Sequence, residues 1–443
     1  MKKLLIIAAA ALFVSNSTFA GGILTNTNQH ASFLRMPARG ASIAIDGTYS
    51  NPAGLAFLQN EGLHYGLTIQ NAYQTRNIDA TFGYYNGVVG GQQAIGTLTQ
   101  EYKGTASAPV IPSIQAAYKK GNWVLSGSFA ITGGGGKASF SHGLPMFTSV
   151  TMAGIYQATK GTVIPGMYDI KTAMSGHQYI FGVQLGLSYK VNEWLGVFGG
   201  GRMNYVSSGY KGFVDATLKE QFGGNQLMDI QLDCDQSGWG LTPIIGADVK
   251  LGRWNFGAKY EFKTNLNIEN NTKTLKAPDG VLKDYEDGVN TPNDIPSLLT
   301  VAAQYSILPN LRAAVEYHFY DDKSAGMAHD KNKALTKGTN EYLFGIEWDV
   351  LKRLTLSGGY QNTDYGLSDG FQSDTSFYCD SYSLGFGAEV KMTEKLNLNI
   401  GYFWTNYKDY KKEMSSYNGT GLPGTDTYSR TNKVFGVSLN YSM

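Results

Sequence analysis

One short pattern in the chain has the spacing used for nucleophilic catalysis. Gly366-Leu367-Ser368-Asp369-Gly370 matches G-x-S-x-G, in which the serine attacks a carbonyl from a sharp strand-to-helix turn. This stretch instead lies between two segments that alternate like strands, with no helical pattern after it. We therefore expect no catalytic residue here and no enzyme activity.

Metal-binding patterns are also incomplete. Residues 233–238 begin like a calcium-binding loop, but Ile244 occupies the twelfth position, where a bidentate Glu is needed. The six histidines show neither the H-x-x-x-H nor the H-E-x-x-H spacing of a zinc site. The sequence predicts no metal site and no cofactor, while a looser calcium site in the acidic loop stays open.

Cys234 and Cys379 are the two cysteines of the 443-residue chain. Two cysteines cannot supply a paired C-x-x-C metal site. In an exported protein they could form one disulfide bridge or remain two thiols, and the sequence leaves both open.

The composition narrows the class of protein. The 36 basic and 35 acidic residues amount to 16% of the chain, against about 25% in soluble domains. The 55 glycines, 29 tyrosines and 21 phenylalanines exclude a disordered chain. After residue 20, no apolar run approaches the roughly 20 residues of a membrane-spanning helix. A strand-rich chain is the class that fits.

Residues 1–20 have the pattern of a secretory signal peptide. Lys2 and Lys3 precede an apolar stretch, and Thr18-Phe19-Ala20 provides a small-residue cleavage site. Removal of both lysines lowers the formal charge from +1 to −1. A near-neutral exported chain lacks the basic surface that binds nucleic acid.

From residue 61 onward, apolar and polar residues alternate with a period of two, as in residues 179–190. The pattern predicts fourteen strands joined alternately by six tight turns and seven long loops. The predicted strands lie near 62–82, 111–119, 122–132, 177–190, 194–208, 238–250, 252–268, 297–306, 310–321, 340–350, 353–362, 379–391, 395–408 and 430–442.

Alternating short and long connections put all tight turns at one end of the sheet, which is typical of outer-membrane barrels. We predict an all-β fold, a 14-stranded antiparallel transmembrane β-barrel formed by residues 61–443. A sandwich would not separate its loops by length, and a propeller would show repeated blades. Such a monomeric barrel would lie in a Gram-negative outer membrane, among lipid and lipopolysaccharide, after insertion by the barrel assembly machinery.

Residues 21–60 do not alternate and are rich in small side chains. Within them, Asn51-Pro52-Ala53 specifies a bend, because Pro52 fixes its own φ and pushes Asn51 toward extended geometry. A 14-stranded barrel is wide enough to leave a channel. We predict that residues 21–60 form a plug in the lumen.

The segment Ala31-Ser32-Phe33-Leu34-Arg35, the small residues after it and Asn51-Pro52-Ala53 resemble the N-terminal hatch of the FadL family. That family comprises outer-membrane transporters of long-chain fatty acids and other hydrophobic compounds. The resemblance implies a ligand pocket between hatch and wall, and a sideways exit through the wall at a kinked third strand. It implies passive uptake of hydrophobic small molecules; the alternative is a structural or adhesive barrel whose outer loops bind a partner.

Two regions are candidates for the ligand path. Gly133-Gly134-Gly135-Gly136 either bends the third strand or opens the loop that follows it. That loop, 137–176, either folds on itself or offers an apolar landing surface for ligand. The residues predicted to form such a surface are Phe140, Leu144, Met146, Phe147, Met152, Ile155 and Tyr156.

Charged residues on the polar face of the predicted strands would point into the lumen. We expect them to pair with one another or with the plug, although one or two cations could meet a ligand carboxylate. These residues are Arg202, Asp248, Lys259, Glu261, Arg312, Glu316, Glu347 and Glu389.

Overall fold

The computed structural model describes residues 24–25, 29–278 and 280–443. In this part of the chain, fourteen wall crossings form one closed antiparallel barrel, in which the first strand pairs with both the second and the last. The predicted fold class is therefore confirmed, while the predicted signal peptide lies outside the described residues.

The crossings are built from seventeen strand segments, because three crossings are divided in two: β7 with β8, β9 with β10, and β15 with β16. The segments are Gly62–Val89 (β1), Gln92–Lys120 (β2), Trp123–Phe140 (β3), Tyr168–Lys190 (β4), Leu195–Leu218 (β5), Gln226–Leu251 (β6), Trp254–Glu261 (β7), Asn267–Lys276 (β8), Asn290–Pro292 (β9), Leu298–Leu308 (β10), Leu311–Tyr320 (β11), Thr339–Leu351 (β12), Leu354–Asp364 (β13), Ser381–Lys391 (β14), Leu396–Tyr407 (β15), Tyr410–Met414 (β16) and Gly424–Ser442 (β17).

Three α-helices accompany these strands in the described residues: Ala31–Arg35 (α1), Gly47–Ser50 (α2) and Pro145–Ala158 (α3). None of the helices in residues 24–25, 29–278 and 280–443 is both long and apolar enough to cross a membrane. Short 3-10 turns cover Pro52–Phe57, Glu220–Phe222, Lys283–Tyr285, Asp322–Ser324, Ala328–Ala334 and Tyr417–Gly419.

The two faces of the wall have the polarity expected of a barrel in lipid. On β1, Leu67 and Ile69 point outward and are exposed, whereas Thr68 and Gln70 point inward and are buried. Aromatic pairs such as Trp123–Tyr189 and Trp254–Tyr305 lie outward near the tight turns, with ring centroids 4.4 and 4.5 Å apart. An apolar band bordered by aromatic rings is the pattern of a lipid-facing surface.

Several connections predicted to be long loops are wrong, because strands continue through them. The 83–110 connection is a hairpin extension that turns at Gly90-Gly91, and β5 and β6 extend through most of 209–237. In these extensions the polarity of the two faces reverses: Leu98 and Tyr102 point inward, while Thr99 and Lys103 point outward. The reversal fits a wall that encloses an apolar core and faces water.

The enclosed core lies in the outer half of the barrel and combines strand residues with α3. Tyr102, Phe147, Ile180 and Val206 are all fully buried in it. Cys234 and Cys379 are also buried here, and both are free thiols. The disulfide alternative is thereby removed.

Candidate functional site

Residues 29–58 lie against the inner face of the wall. α1 packs on β13, β14, β15, β17 and β1, while the 3-10 turn Pro52–Phe57 packs on β3 to β7. Wall glycines permit this close approach: a Cβ on Gly385 would lie 2.5 Å from the carbonyl oxygen of Leu34. The segment therefore contacts two separate arcs of the barrel.

An ionic cluster fastens α1 to the wall. Arg35 Nη1 donates to Glu347 Oε1 at 2.5 Å, and Arg35 Nη2 lies 3.2 Å from Glu389 Oε2. Glu347 also receives Arg312 Nε at 2.8 Å and Arg39 Nη1 at 3.3 Å. Glu347 is thus a buried anion held by three arginines from the segment and the wall.

Asp46 completes this cluster from within the segment. Arg39 Nε lies 2.7 Å from Asp46 Oδ2, and both side chains are buried. Burial alone would raise the pKa of the Asp46 carboxyl, but the adjacent Arg39 guanidinium outweighs burial and lowers this pKa below its usual range.

A second cluster surrounds Tyr49 at the end of α2. Arg202 and Lys259 both contact Glu261, at 2.7 and 2.8 Å, and both cations lie 4.7 Å from the centre of the Tyr49 ring. Lys259 Nζ also donates to the Tyr49 carbonyl oxygen at 2.8 Å. Charged residues of the wall therefore bind both the ring and the backbone of Tyr49.

The predicted lumen charges consequently all have partners within the wall or the segment. The remaining two carboxylates accept from the segment itself: Glu316 Oε2 from Gly40 N at 2.6 Å, and Asp248 Oδ2 from Asn51 Nδ2 at 2.6 Å. Glu316 also contacts His318 Nε2 at 2.5 Å. This half of the lumen is a paired polar contact surface.

Asn51-Pro52-Ala53 lies at the centre of that surface. Asn51 Oδ1 accepts from Gly54 N at 3.3 Å, the Pro52 carbonyl accepts from Ser188 Oγ at 2.7 Å, and Ala53 is fully buried. The contacts of this turn run along one arc of the wall, from β3 to β7. The short tether to β1 keeps it on this arc.

A cavity of about 50 Å³ remains between the segment and the wall. Its polar lining includes His30, Arg39, Asp46 and Lys259. This volume has room for a few water molecules but is too small for a drug-sized ligand, which needs about 300 Å³ or more.

A larger opening interrupts the wall itself. β2 and β3 pair at residues 104–106 with 138–140 and again at 114–120 with 123–129, whereas 107–113 and 130–137 are not paired with each other. A pocket of about 280 Å³ fills this gap, lined by small and apolar groups such as Ala72, Ala108, Val110 and Phe181. Backbone groups of β2 and β3 that would normally bond to each other are therefore separated around an apolar pocket.

The glycine run forms one border of the gap. Gly133 pairs with Ile180 and Gly136 with Gln178, so the register of β3 against β4 shifts twice within the run. Gly134 and Gly136 have φ values of +100° and +69°, which residues with a Cβ rarely adopt. The run lies inside β3 rather than at the start of a loop.

Most of the predicted loop-surface residues are buried inside the outer half of the lumen. Leu144 and Phe147 are fully buried, Ile155 is 1% exposed, and Phe140, Met146 and Met152 also belong to the enclosed core. Tyr156 is only partly buried and stacks on Tyr85, with ring centroids 5.0 Å apart. Ligand could therefore meet most of this surface only from within the barrel.

Two lumen residues that the sequence analysis missed are Arg76 and Arg430. They are directly opposite each other on β1 and β17, on the inward face. Arg76 is 6% exposed, and its guanidinium lies near Gly135 at the gap. Their even-numbered positions within the alternation are the signal that could have placed both inside.

Metal binding has no structural support in the described residues, where no three His, Cys, Asp or Glu side chains are grouped closely enough to hold an ion. Ser368 of the G-x-S-x-G pattern donates to the Ala334 carbonyl oxygen at 2.5 Å and lies in the loop between β13 and β14. Its hydroxyl therefore bonds to the backbone and not to a histidine.

No family model matches the chain, and no curated protein matches its sequence. Solved structures do match. A FadL homologue of Pseudomonas aeruginosa has a TM-score of 0.64 at 13% identity, over 95% of this chain and 99% of that one. The toluene transporter TodX of P. putida has a TM-score of 0.55 at 12% identity, over 90% and 94%. The toluene transporter TbuX of Ralstonia pickettii has a TM-score of 0.50 at 12% identity, over 97% and 100%.

Proposed function

Since the chain has the FadL fold, as the sequence resemblance predicted, we propose that it is an outer-membrane transporter for passive uptake of hydrophobic small molecules. Long-chain fatty acids are one such class, and monoaromatic compounds such as toluene are another. In this proposal, residues 21–60 act as the hatch that closes the lumen, and the exported mature chain begins after residue 20.

The observation that carries the proposal is the unpaired stretch between β2 and β3. A barrel wall in lipid normally leaves no backbone group unpaired, because an unsatisfied group there costs several kcal/mol. A gap lined by apolar side chains and bordered by Gly134 and Gly136 has a use if a hydrophobic molecule passes through it. The closed contact of the segment with the wall supports exit at the side rather than straight through the lumen.

The enclosed core supplies the other half of the proposed path. Ligand enters from the outer side, passes the apolar residues around α3, and reaches the gap, where it leaves into lipid. Phe140 links the two regions, because it belongs to the core and lies at the outer end of β3. Movement down this path requires no energy source beyond partition into lipid.

Filling the gap tests the proposal. Ala108→Trp places a large ring in the 280 Å³ pocket, and we expect uptake of radiolabelled toluene or fatty acid to fall severalfold per folded barrel. Leu356→Trp is the matched control, because Leu356 is an exposed outer-face residue on β13, away from the gap. Folded barrel is counted from its shifted mobility in unheated gels.

Equal uptake by both variants would mean that ligand does not leave between β2 and β3. Binding of a protein partner by the outer loops, with no uptake of either ligand by the unmodified protein, would instead favour an adhesive barrel.

A further inference from the structure

Arg76 and Arg430 form a pair of like charges inside the barrel. They are register partners on β1 and β17, and directly opposite residues of an antiparallel pair have Cβ atoms about 4.5–5.5 Å apart on the same face. Like charges in that position are destabilising. A folded protein keeps such a pair at a cost, so a compensating role is expected.

Within the described part of the chain, no carboxylate compensates this charge. Neither guanidinium forms an ion pair or a hydrogen bond there, and Arg76 Nε is buried without an acceptor. Asp426 lies on the same inward face as Arg430, but about 13 Å along the strand. Its oxygens are already bonded by Tyr417 and Tyr428, at 2.5 and 3.2 Å.

Aromatic rings surround the pair instead. The Arg76 guanidinium carbon is 5.8 Å from the centre of the Phe377 ring, and that of Arg430 is 4.9 Å from Tyr407 and 5.7 Å from Tyr378. Such contacts contribute about 0.5–2 kcal/mol each, which does not match the several kcal/mol of an uncompensated buried ion. The rings give the site an apolar border and leave the positive charge unneutralised.

The pair also adjoins the proposed passage. A Cβ on Gly135 would lie 3.6 Å from an Arg76 guanidinium nitrogen, and Gln74, the next inward residue on β1, lines the gap pocket. A molecule with its tail in the gap would therefore bring its other end to the arginines. Guanidinium groups bind phosphate and carboxylate through paired hydrogen bonds.

We propose that Arg76 and Arg430 form a binding site for the head group of an amphiphile that carries two negative charges, such as a phosphate monoester, with its alkyl tail directed to the β2–β3 gap. The inference rests on the proposed function and adds a ligand class to it. Charge balance selects the doubly charged head group, because a single carboxylate would neutralise one guanidinium and leave the other without a counterion.

Three ligands of equal tail length test the site. Dodecyl phosphate, dodecanoate and dodecanol are titrated by calorimetry into the full-length protein in a non-ionic detergent at about pH 8, where a phosphate monoester carries close to two charges. We expect affinity to fall in that order. Inorganic phosphate alone serves as a fourth probe and should bind far more weakly, because it has no tail.

We expect Arg76→Gln and Arg430→Gln each to lower the affinity for dodecyl phosphate by about ten- to hundredfold, because charge-assisted hydrogen bonds are lost. The affinity for dodecanol should not change. Arg353→Gln is the matched control, since Arg353 is exposed in the turn between β12 and β13. If a variant does not fold, the ranking of the three ligands on the unmodified protein decides.

Equal binding of dodecyl phosphate and dodecanoate, or equal loss of all three ligands in the Gln variants, would overturn the inference. The proposed function is tested separately by dodecanol uptake. If Ala108→Trp blocks that uptake while the three ligands bind with equal affinity, the exit route is supported and the head-group site is contradicted. If the Gln variants lose affinity for dodecyl phosphate while Ala108→Trp has no effect on uptake, the head-group site is supported and the exit route is contradicted.

Discussion

The basic residues of the lumen fall into two groups that differ in their partners. Arg35, Arg39 and Arg202 are each matched by a buried carboxylate within 3.3 Å. Arg76 and Arg430 have aromatic rings around them and no carboxylate among the described residues. The first group joins the N-terminal segment to the wall, because Arg35 and Arg39 both reach Glu347 and Arg202 lies over the Tyr49 ring. The second group belongs to the wall alone.

The difference separates two uses of a buried charge. A pair closed by good hydrogen bonds is costly to break, because removing one partner leaves a buried ion. A cation without a partner holds no two parts of the chain together, but it remains available to an anion from outside. The paired group therefore reports on attachment of the segment, and the unpaired group on ligand binding.

Breaking the paired group should give the largest effect. Glu347→Gln removes the anion shared by three arginines, and we expect a loss of about 3 kcal/mol in the free energy of unfolding. This is the lower end of the usual range because Arg35, Arg39 and Arg312 keep Glu389, Asp46 and Asp349. Denaturant unfolding measures the loss, and conductance in planar bilayers should rise as the segment loosens.

Glu394→Gln is the control for that experiment, since Glu394 is exposed in the turn before β15. Unchanged conductance of a destabilised Glu347→Gln barrel would mean that the segment does not close the pore.

A smaller effect is expected at the hydrogen bond between Asn51 and Asp248. Asn51→Ala removes the 2.6 Å bond to Asp248 and leaves that buried carboxylate with Asn255 as its side-chain partner. We expect a cost of about 1–3 kcal/mol and reduced uptake per folded barrel. Asn60→Ala is the control, because Asn60 is exposed. Pro52→Ala should act in the same direction as Asn51→Ala.

A lower folding yield with normal uptake per folded molecule would contradict this expectation. The turn would then only fasten β1.

The smallest effect concerns a third kind of cation, in an outer loop. Lys331 donates to Ser373 at 3.1 Å over the Phe371 ring, and burial, aided by Lys412, lowers its pKa from 10.5 to about 7. Between pH 7 and pH 10.5 the unfolded chain binds more protons than the folded chain. Charged Lys331 therefore destabilises its contact with loop 365–380 most below about pH 7, and progressively less as pH rises to 10.5. Lys331→Met should therefore protect loop 365–380 from chymotrypsin at low pH, with a gain that shrinks as pH rises.

Lys333→Met provides the baseline, because Lys333 is exposed in the same turn. A gain independent of pH would mean that the pKa of Lys331 does not differ between the folded and unfolded chain.

Sequence alone could predict the barrel because lipid imposes a simple rule on each strand: apolar outward, polar inward. Strand number and tight turns follow from that alternation, as Leu67 and Thr68 illustrate. The extensions of β1 and β2 beyond residue 82 escaped prediction because apolar residues there point inward and polar residues outward, as Tyr102 and Lys103 do. If strands are recognised by apolar residues at the outward positions, a stretch with apolar residues at the inward positions is mistaken for a loop.

The candidate site was predictable only in part, for a related reason. Asn51-Pro52-Ala53 and Gly133–Gly136 carry local signals, since proline and glycine restrict or free the backbone wherever they occur. The pairing of Arg76 with Arg430 depends on register between residues more than 350 positions apart. Such register is set by closure of the barrel, which no local pattern encodes.

The reversal of alternation also fixes how deeply the barrel is immersed. Tyr73 is an exposed aromatic residue on the outer face of β1. Six residues later, on the same outer face, the exposed residue is the charged Asp79. Sliding inward would bring Asp79, Glu101 and Lys103 into hydrocarbon, and sliding outward would expose the apolar band to water. Residues 107–113, which pair with β1 but not with β3, lie just on the lipid side of this boundary. We therefore expect the gap to open into the outer leaflet, immediately beneath its head groups.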